Sequence, residues 1–431
     1  MTENSSARAA ARDSLAAFAK HGKYTNLEVA SKLSRLPLSD ADRRLYTALV
    51  YGVAERMPTL DYVIGTLSSR PVGEIDISTL CCLRIGLYQL VYMDRIPDHA
   101  AISEAVNISY AKSRGFVNAV LREFLRRGGR IEYPPEDDAL KYTSVKYSCP
   151  ESMCRFLFEK LGEERTRSLL SSSFECRAAV RVNTLETDAR SLIKDVFPEG
   201  KVSALAPDVV EVPSLSCADM SDGRWFVQDT ASRLAVTALS PMPGETVVDC
   251  CAAPGGKSFS AAIDMKNEGR IFSFDVHENK ISLIMRGVQR LGINIIDASC
   301  RDAGDPAPEL CGAADRVICD APCSGLGVIS KKPDIKYKDP SDFERLPAVQ
   351  RRILEGASSY VRPGGVLVYS TCTVNPDENE GVASCFLRVH PEFTLSPFSV
   401  GGVRSEGMLT FFPGEHNTDG FFICRMERSA G

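Results

Sequence analysis

The sequence has little that would bind zinc, cross a membrane or stabilise an extracellular fold. Its 431 residues include 15 cysteines, but no Cys-x-x-Cys pair occurs and the five histidines are scattered. The common zinc-ligand spacings are therefore absent, and the odd cysteine count argues against a disulfide framework. No apolar run approaches the roughly 20 residues of a membrane-spanning helix. The first residues lack the apolar core of a secretory signal, so we expect a cytoplasmic protein that does not contact membranes.

Two nucleotide-binding motifs are also missing. A P-loop requires a glycine five positions before Gly256, where Cys251 stands, and the dinucleotide pattern GxGxxG does not occur. These absences disfavour a nucleotide hydrolase, which only the string GKS would support. The segment AAPGGKS at 252–258 instead predicts a proline–glycine turn that leads into a helix. The unpaired N–H groups at such a helix start bind carboxylates or phosphates.

The charge is small overall but unevenly distributed. The net charge is −5, from 51 Lys and Arg against 56 Asp and Glu. Residues 1–130 hold 18 basic and 13 acidic side chains, which leaves 33 basic and 43 acidic for the rest. A basic first part joined to an acidic remainder indicates a polyanionic partner.

The patterns predict a multidomain protein with three parts. Residues 1–132 are predicted to be all-α, and residues 136–235 mix helical and short strand patterns, which predicts a small α+β module. From 236 to 431, short apolar runs alternate with helical spacers, as is typical of βαβ units around a parallel sheet. The predicted strands of this last domain lie near 245–250, 270–274, 293–297, 315–320 and 364–372.

Two groups of basic residues are candidates for phosphate contacts. A helix predicted at 115–127 carries Arg122 and Arg126 four residues apart, away from its apolar stripe, with Arg127 at its end. Four lysines follow the segment APCSG, namely Lys331, Lys332, Lys336 and Lys338. For both groups the alternative is a solvated surface that serves solubility.

Chemistry-bearing residues follow the predicted strands of the last domain. Asp275 ends the second strand, about 20 residues after the glycine turn, where an acid can bind a ribose. Asp302 follows the third strand, and Cys323 and Cys372 follow two later strands. Helix capping is the alternative role for each acid. Because the carboxyl ends of parallel strands share one edge, we expect a cofactor loop and two thiols to meet there.

Four segments together resemble the successive motifs of the RNA 5-methylcytosine methyltransferases of the Sun/Fmu type: DCCAAPGGKS, FSFDVHENK, CDAPCSGLG and YSTCTVNPDENE. The segment VNAVLREF at 117–124 resembles the NusB-like helical domain that precedes the catalytic domain in bacterial members. The resemblance covers nearly the whole chain. It implies a NusB-like RNA-binding domain at 1–132 and a Rossmann-like, S-adenosylmethionine-dependent domain at 236–431.

The resemblance also implies roles for individual residues. The cofactor loop is Cys251, Ala252, Ala253, Pro254, Gly255, Gly256 and Lys257. Asp275 matches the ribose-binding position, and Asp302 the position near adenine, although ASCRDAG departs from the usual glycine-rich segment. Asp320 matches an acid shared by the cofactor and the target base. Cys372 stands at the position of the covalent nucleophile, and Cys323 at that of the second cysteine, which releases the product.

The implied function is methylation of carbon 5 of a specific cytosine in small-subunit (16S) rRNA through a covalent cysteine–cytosine intermediate. One alternative keeps this chemistry with tRNA as the substrate. Another is a non-catalytic RNA-binding scaffold, which the presence of both cysteines disfavours. Asn183 and the pair Gln228–Asp229 also match family positions, but local packing and turn formation are the roles expected for them. We expect a monomer with no metal ion.

Overall fold

The computed structural model describes residues 6–21, 32–33, 35–174, 178–215 and 218–430. Parts of the predicted helical region, 22–31 and 34, lie outside these ranges, as do Cys176 and Cys217. The chain forms two compact units. The first comprises residues 1–159 and 336–338, and the second comprises residues 160–335 and 339–431. Within the described ranges, no helix combines the length and the apolar character that a membrane crossing requires.

The first unit is helical, as the sequence predicts. Its helices are α1 (Ala7–His21), α2 (Asp40–Leu67), α3 (Ile77–Tyr92), α4 (Asp98–Asn107), α5 (Arg114–Arg126), α6 (Ala139–Lys146) and most of α7 (Glu151–Leu161). Ser39 caps α2 by accepting a hydrogen bond from Asp42 N at 3.2 Å. In α5 the apolar stripe, which includes Val117 and Leu121, is buried in the helical core, while Arg122 and Arg126 are exposed.

The second unit begins with α8 (Glu163–Ser172) and a small antiparallel sheet. The sheet has the order β2-β3-β1-β4, formed by β1 (Ala178–Val182), β2 (Lys201–Val202), β3 (Val209–Val212) and β4 (Trp225–Val227). Helix α9 (Ala189–Asp195) packs with it around the buried Trp225. These elements match the predicted mixture of helices and strands, whereas the domain boundaries at 132–136 and 235–236 stay predictions.

The large sheet of the second unit contains the predicted parallel strands. They are β5 (Thr246–Asp249), β6 (Arg270–Asp275), β7 (Ile296–Cys300), β8 (Ala314–Asp320) and β9 (Val361–Thr371), in the order β9-β8-β5-β6-β7. The helices between and beside them are α10 (Thr230–Leu239), α11 (Gly256–Asp264), α12 (Glu278–Arg290), α13 (Leu346–Tyr360) and α14 (Glu380–Val389). Two apolar clusters cover the sheet, and Val247 and Val248 on β5 are fully buried in one cluster each. This is the Rossmann-like arrangement that the alternating pattern predicts.

The C-terminal strands make the sheet mixed rather than parallel. β14 (Phe421–Arg428) pairs antiparallel with β9, and β10 (Phe393–Leu395) and β13 (Met408–Phe411) pair antiparallel with β14. A separate hairpin joins β11 (Phe398–Val400) to β12 (Val403–Ser405). The sequence did not predict these strands, because four of the five are only three or four residues long.

Candidate active site

The carboxyl ends of the parallel strands meet at one edge of the large sheet. Asp249 ends β5 and Asp275 ends β6, while Asp320 ends β8. Cys323 lies three residues after β8, and Cys372 follows β9 directly. The parallel register therefore places the predicted site residues at the same edge, as the strand pattern indicates.

The segment from Cys251 to Lys257 forms a turn between β5 and α11. Gly255 has φ +111°, a left-handed conformation, and a Cβ there would lie 2.3 Å from the ring of Phe259. Glycine is therefore required at this position. The segment lines a cleft of about 370 Å³, which Gln228, Asp320 and Lys331 also line. A volume of this size is within the range of small-molecule sites.

Gln228, which directly follows β4, hydrogen-bonds to the first residues of α11. Its Nε2 donates to Gly256 O at 2.9 Å, and its Oε1 accepts from Ser260 Oγ at 2.6 Å. Asn183 donates to the backbone oxygens of Gly223 and Leu291. Both residues thus have the packing roles expected from the sequence.

Asp249 lies beneath the turn and is buried. Ser258 Oγ donates to its Oδ2 at 2.6 Å, whereas its Oδ1 has no hydrogen-bond partner among the described residues. Burial raises the pKa of Asp249 to about 6, although the bond from Ser258 opposes the shift.

An ion pair joins the turn to the end of β8. Lys257 Nζ lies 2.6 Å from Asp320 Oδ2, and Ser370 Oγ donates to Asp320 Oδ1 at 2.9 Å. Burial alone would lower the pKa of Lys257, but the charge of Asp320 outweighs it and raises the pKa overall. Lys257 is therefore a cation at neutral pH, held beside the two cysteine loops.

The two thiols of the sequence prediction are neighbours. Cys323 Sγ and Cys372 Sγ lie 3.3 Å apart, and both residues are half-buried. The hydrogen bond between the two thiols lowers the pKa of Cys372, and the cations Lys257 and Lys332 add to this effect, whereas burial and the charge of Asp320 oppose it. The same bond, together with burial, raises the pKa of Cys323. Cys372 is therefore the thiol of the pair that ionises more readily.

The two other acids of the predicted cofactor site occupy different surroundings. Asp275 is buried, accepts a bond from His277 N at 3.0 Å and lies 3.4 Å from Lys280 Nζ. Asp302 follows β7 by two residues and accepts from Gly304 N at 2.8 Å and from Arg352 Nη2 at 2.9 Å. Asp302 thus caps a turn, and its role near the cofactor stays a prediction.

The predicted phosphate contacts of the lysine run are wrong for two of its four members. Lys331 Nζ lies 2.7 Å from Asp229 and 2.6 Å from Asp419, so its charge is already neutralised. Lys336 is buried and donates to Glu55 O at 3.1 Å. The prediction therefore stands only for Lys332 and Lys338, which are exposed.

Several polar residues that the sequence did not single out surround the thiols. Glu378 is fully buried and accepts hydrogen bonds from Ser324 N, Gln350 Nε2 and Asn375 Nδ2. The available signal was the acid- and amide-rich segment NPDENE, which begins three residues after Cys372. Its members Asn375, Glu378 and Asn379 are buried, whereas such residues are usually exposed.

Comparisons with known proteins give the same organisation. The family model described as "16S rRNA methyltransferase RsmB/F" matches residues 236–427, and that of the NusB family matches residues 5–126. A protein of Bacillus subtilis named "Probable ribosomal RNA small subunit methyltransferase B" is 36% identical over 99% of both chains. A protein of the same name from Synechocystis is 32% identical over 95% of this chain and 96% of its own.

Solved structures share the fold. The crystal structure named PH0851 is 26% identical, with a TM-score of 0.76 over 99% of this chain and 100% of its own. NSun6 from Pyrococcus horikoshii, solved with SFG, has a TM-score of 0.57 over 65% of this chain and 98% of its own at 21% identity, which shows the fold alone.

The turn at 251–257, the helix start behind it and the buried carboxylates at the strand ends fit a cofactor with a ribose and an amino-acid group. As a methyltransferase, the protein uses S-adenosylmethionine as its cofactor. The relatives match nearly the full length of the sequence, and the two family models match its two halves in order. The chain belongs to the RsmB/F family of 16S rRNA methyltransferases.

Proposed function

We propose that the protein methylates carbon 5 of a specific cytosine in small-subunit (16S) rRNA, through a covalent bond between Cys372 and the base. The observation that carries this proposal is the pair of thiols 3.3 Å apart at the edge of the sheet, beside the Lys257–Asp320 ion pair. The relatives are named as small-subunit rRNA methyltransferases, and these names support the choice of substrate.

Covalent attack is needed because carbon 5 of cytosine is a poor nucleophile. The Cys372 thiolate bonds to carbon 6, and the electrons of the 5,6 double bond move to carbon 5. This splits one difficult step into two easier ones. When bound, S-adenosylmethionine would supply the methyl group to carbon 5, and its sulfonium sulfur would be left as a neutral thioether. A base then takes the proton from carbon 5, the electrons of that C–H bond restore the 5,6 double bond, and Cys372 leaves as a thiolate.

The remaining residues prepare and complete this reaction. Lys257 and the thiol of Cys323 stabilise the attacking thiolate of Cys372, as the lowered pKa of Cys372 indicates. Cys323, at contact distance from the bond that must break, assists the release of the product. Asp320 orients Lys257 and accepts a hydrogen bond from the base, where charge develops during the addition.

The cofactor assignments follow from the family resemblance, which the cleft lined by the 251–257 segment supports. We assign the residues Cys251, Ala252, Ala253, Pro254, Gly255, Gly256 and Lys257 to the S-adenosylmethionine loop. Asp275 binds the ribose, Asp302 lies near adenine, and Asp320 is shared with the base. The helical residues 1–132 bind RNA, with 136–235 as a small module between them and the catalytic domain at 236–431. A base must leave its stack to reach the thiols, which favours unpaired RNA.

The test is methylation of purified RNA, with each product mapped by bisulfite sequencing. We expect one 5-methylcytosine in 16S rRNA and none in tRNA, and we expect the same position to lose its methyl group in cells without the gene. Activity on tRNA alone would refute the substrate. A non-catalytic scaffold would bind RNA without binding S-adenosylmethionine, which calorimetry on the same preparation measures.

A further inference from the structure

The residues on both sides of each thiol hydrogen-bond to buried polar side chains. Pro322 O accepts a bond from Gln350 Nε2 at 3.0 Å, and Ser324 N donates to Glu378 Oε2 at 2.8 Å. Gln350 Nε2 also donates to Glu378 Oε2 at 2.9 Å. The residues before and after Cys323 are therefore both tied to the Glu378 carboxylate, one directly and one through Gln350.

The loop that carries Cys372 is held by Asn379, the residue that follows Glu378 in the sequence. Asn379 Oδ1 accepts from Thr371 Oγ1 at 2.6 Å, and Asn379 Nδ2 donates to Thr373 O at 3.0 Å. Besides the thiols, a hydroxyl contact of 2.7 Å between Ser324 and Thr373 links the two loops. Glu378 and Asn379 are adjacent in sequence, but each holds a different cysteine loop.

The environment of Glu378 is unusual for a structural acid. Its side chain is fully buried, and every hydrogen-bond partner given above is neutral: a backbone N–H and two amide groups. Burying a carboxylate without a cation costs free energy, so an apolar packing residue would stabilise the fold at least as well. A carboxylate that accepts from the Cys323 loop and from Gln350 at once fixes that loop in one position.

We propose that Glu378 and Asn379 are positioning residues with separate roles: Glu378 holds Cys323 for product release, and Asn379 holds Cys372 for attack on the base. This inference rests on the proposed function, which gives the two cysteines these roles. A displacement of about 1 Å at a reacting group can slow a step on the order of 100-fold. Loss of either residue therefore slows a different step.

The first experiment compares variants of the full-length protein by methylation rate and by the amount of denaturant-resistant protein–RNA adduct. Glu378→Ala is expected to accumulate adduct on the order of 100-fold above the wild type, as Cys323→Ala does. In the Cys323→Ala background, Glu378→Ala should change release no further. Asn379→Asp keeps the acceptor for Thr371 but loses the donor to Thr373, so it should form adduct more slowly and accumulate none.

The controls separate positioning from folding. Glu378→Gln keeps an acceptor oxygen for Ser324 and Gln350 and should restore release to within about tenfold of the wild type. Glu380→Gln changes an acid two residues away, whose carboxylate accepts from Thr410 Oγ1, and should behave as the wild type. Each variant must bind S-adenosylmethionine with wild-type affinity, because none of the substituted residues (Cys323, Glu378, Asn379 and Glu380) lines the cleft.

A second measurement does not depend on catalysis. Diamide, an azo compound, accepts the two hydrogens of a thiol pair, becomes a hydrazine and leaves a disulfide. Peptide mapping reports the rate at which Cys323 and Cys372 join, and this rate should fall at least about tenfold in Glu378→Ala. If Cys323→Ala accumulates no adduct, the proposed function fails, while the diamide rate still tests the positioning roles. Wild-type diamide rates, or equal slowing without adduct in the Glu378 and Asn379 variants, would overturn the inference.

Discussion

At the scale of single residues, Cys372 and Cys323 are alike in sequence and differ through their neighbours. The cations Lys257 and Lys332 help to lower the pKa of Cys372, whereas the thiol–thiol hydrogen bond and burial raise the pKa of Cys323. We expect Cys372→Ala to lose turnover and adduct but to keep S-adenosylmethionine binding, and Cys323→Ala to accumulate adduct. Methylation assays, denaturing gels and calorimetry measure the three properties. The reverse pattern would exchange the two roles.

The thiol pair also predicts a dependence on pH. Because the pKa of Cys372 is lowered, its thiolate persists to lower pH than that of an ordinary cysteine, whose pKa is 9.0. The rate of alkylation of Cys372 by iodoacetamide should therefore reach half its maximum below that pH. Lys257→Met removes a stabilising cation and should move the midpoint upward, whereas Lys201→Met, at an exposed lysine on β2, should not. An unchanged midpoint in Lys257→Met would contradict this electrostatic account.

The sequence alone predicted that both cysteines and the turn at 251–257 lie at one edge of the sheet, because each follows a recognisable strand and belongs to a motif. It was insufficient for Glu378 and Gln350. Gln350 lies 22 residues before Cys372, and its amide reaches Pro322 only after α13 has packed beside β8. Polar residues acquire such roles through tertiary contacts, which leave no local pattern.

At the scale of elements, a buried ionic cluster connects the small sheet to helices of the large sheet. Arg181 on β1 lies 3.2 Å from Asp264 at the end of α11, and Arg233 on α10 lies 2.7 Å from it. Both arginines also contact Asp208, before β3. Removing one member leaves buried charge without its partner.

Asp264→Asn is therefore expected to destabilise the second unit by about 3 kcal/mol, measured by urea unfolding. The matched control is Asp297→Asn, whose partner Arg270 lies 3.5 Å away with both side chains more than half exposed. A pair of that kind contributes less than about 1 kcal/mol. Similar losses of unfolding free energy in the two variants would show that the buried cluster stabilises the fold no more than an exposed ion pair does.

His390 joins the end of α14 to α13 in a manner that depends on pH. It lies 2.8 Å from Glu355 and 3.0 Å from Glu392. Burial alone would lower the pKa of His390, but the two carboxylates raise it. The stabilisation is therefore complete below the unfolded pKa of about 6.5 and is lost as the pH rises through the higher folded pKa.

His390→Gln should accordingly reduce stability by about 0.5–1 kcal/mol at pH 6 and by less at pH 9. Thermal unfolding of both proteins at the two pH values measures the difference. A loss that is equal at both pH values would assign His390 to packing on Phe386 instead, with which its ring stacks at 4.3 Å.

Strand β7 shows where the sequence pattern was inaccurate at this scale. The apolar run at 293–297 predicts the strand there, whereas β7 spans Ile296–Cys300. It is an edge strand that pairs only with β6, and most of its side chains are exposed. The polar sequence of β7 is therefore typical of a loop. Ile293, which lies before the strand, packs in the core, so the apolar run begins earlier than the strand does.

At the scale of the whole molecule, the sequence pattern predicted a helical region first and, later in the chain, a region in which strands and helices alternate. The assignment of residues 336–338 to the helical unit was not predictable. Within that unit, Tyr337 Oη donates to Ala54 O at 2.6 Å, and its ring packs edge-on against Phe18. Three residues are too few to show a periodic pattern, and only their tertiary contacts reveal where they belong.

The charge distribution gives the last prediction. Arg122 and Arg126 are exposed on α5, in the basic part of an otherwise acidic chain. If they contact phosphates, their removal releases fewer counterions on binding, because each contact contributes about 0.7 to the slope of log K against log salt for single strands. The double variant Arg122→Gln and Arg126→Gln should make this slope less steep by about 1.4. It should also weaken RNA binding without changing the affinity for S-adenosylmethionine. The matched control replaces Arg345 and Arg404, which are 77% and 76% exposed. An equal change in both double variants would mean that RNA responds to net charge rather than to the surface of α5.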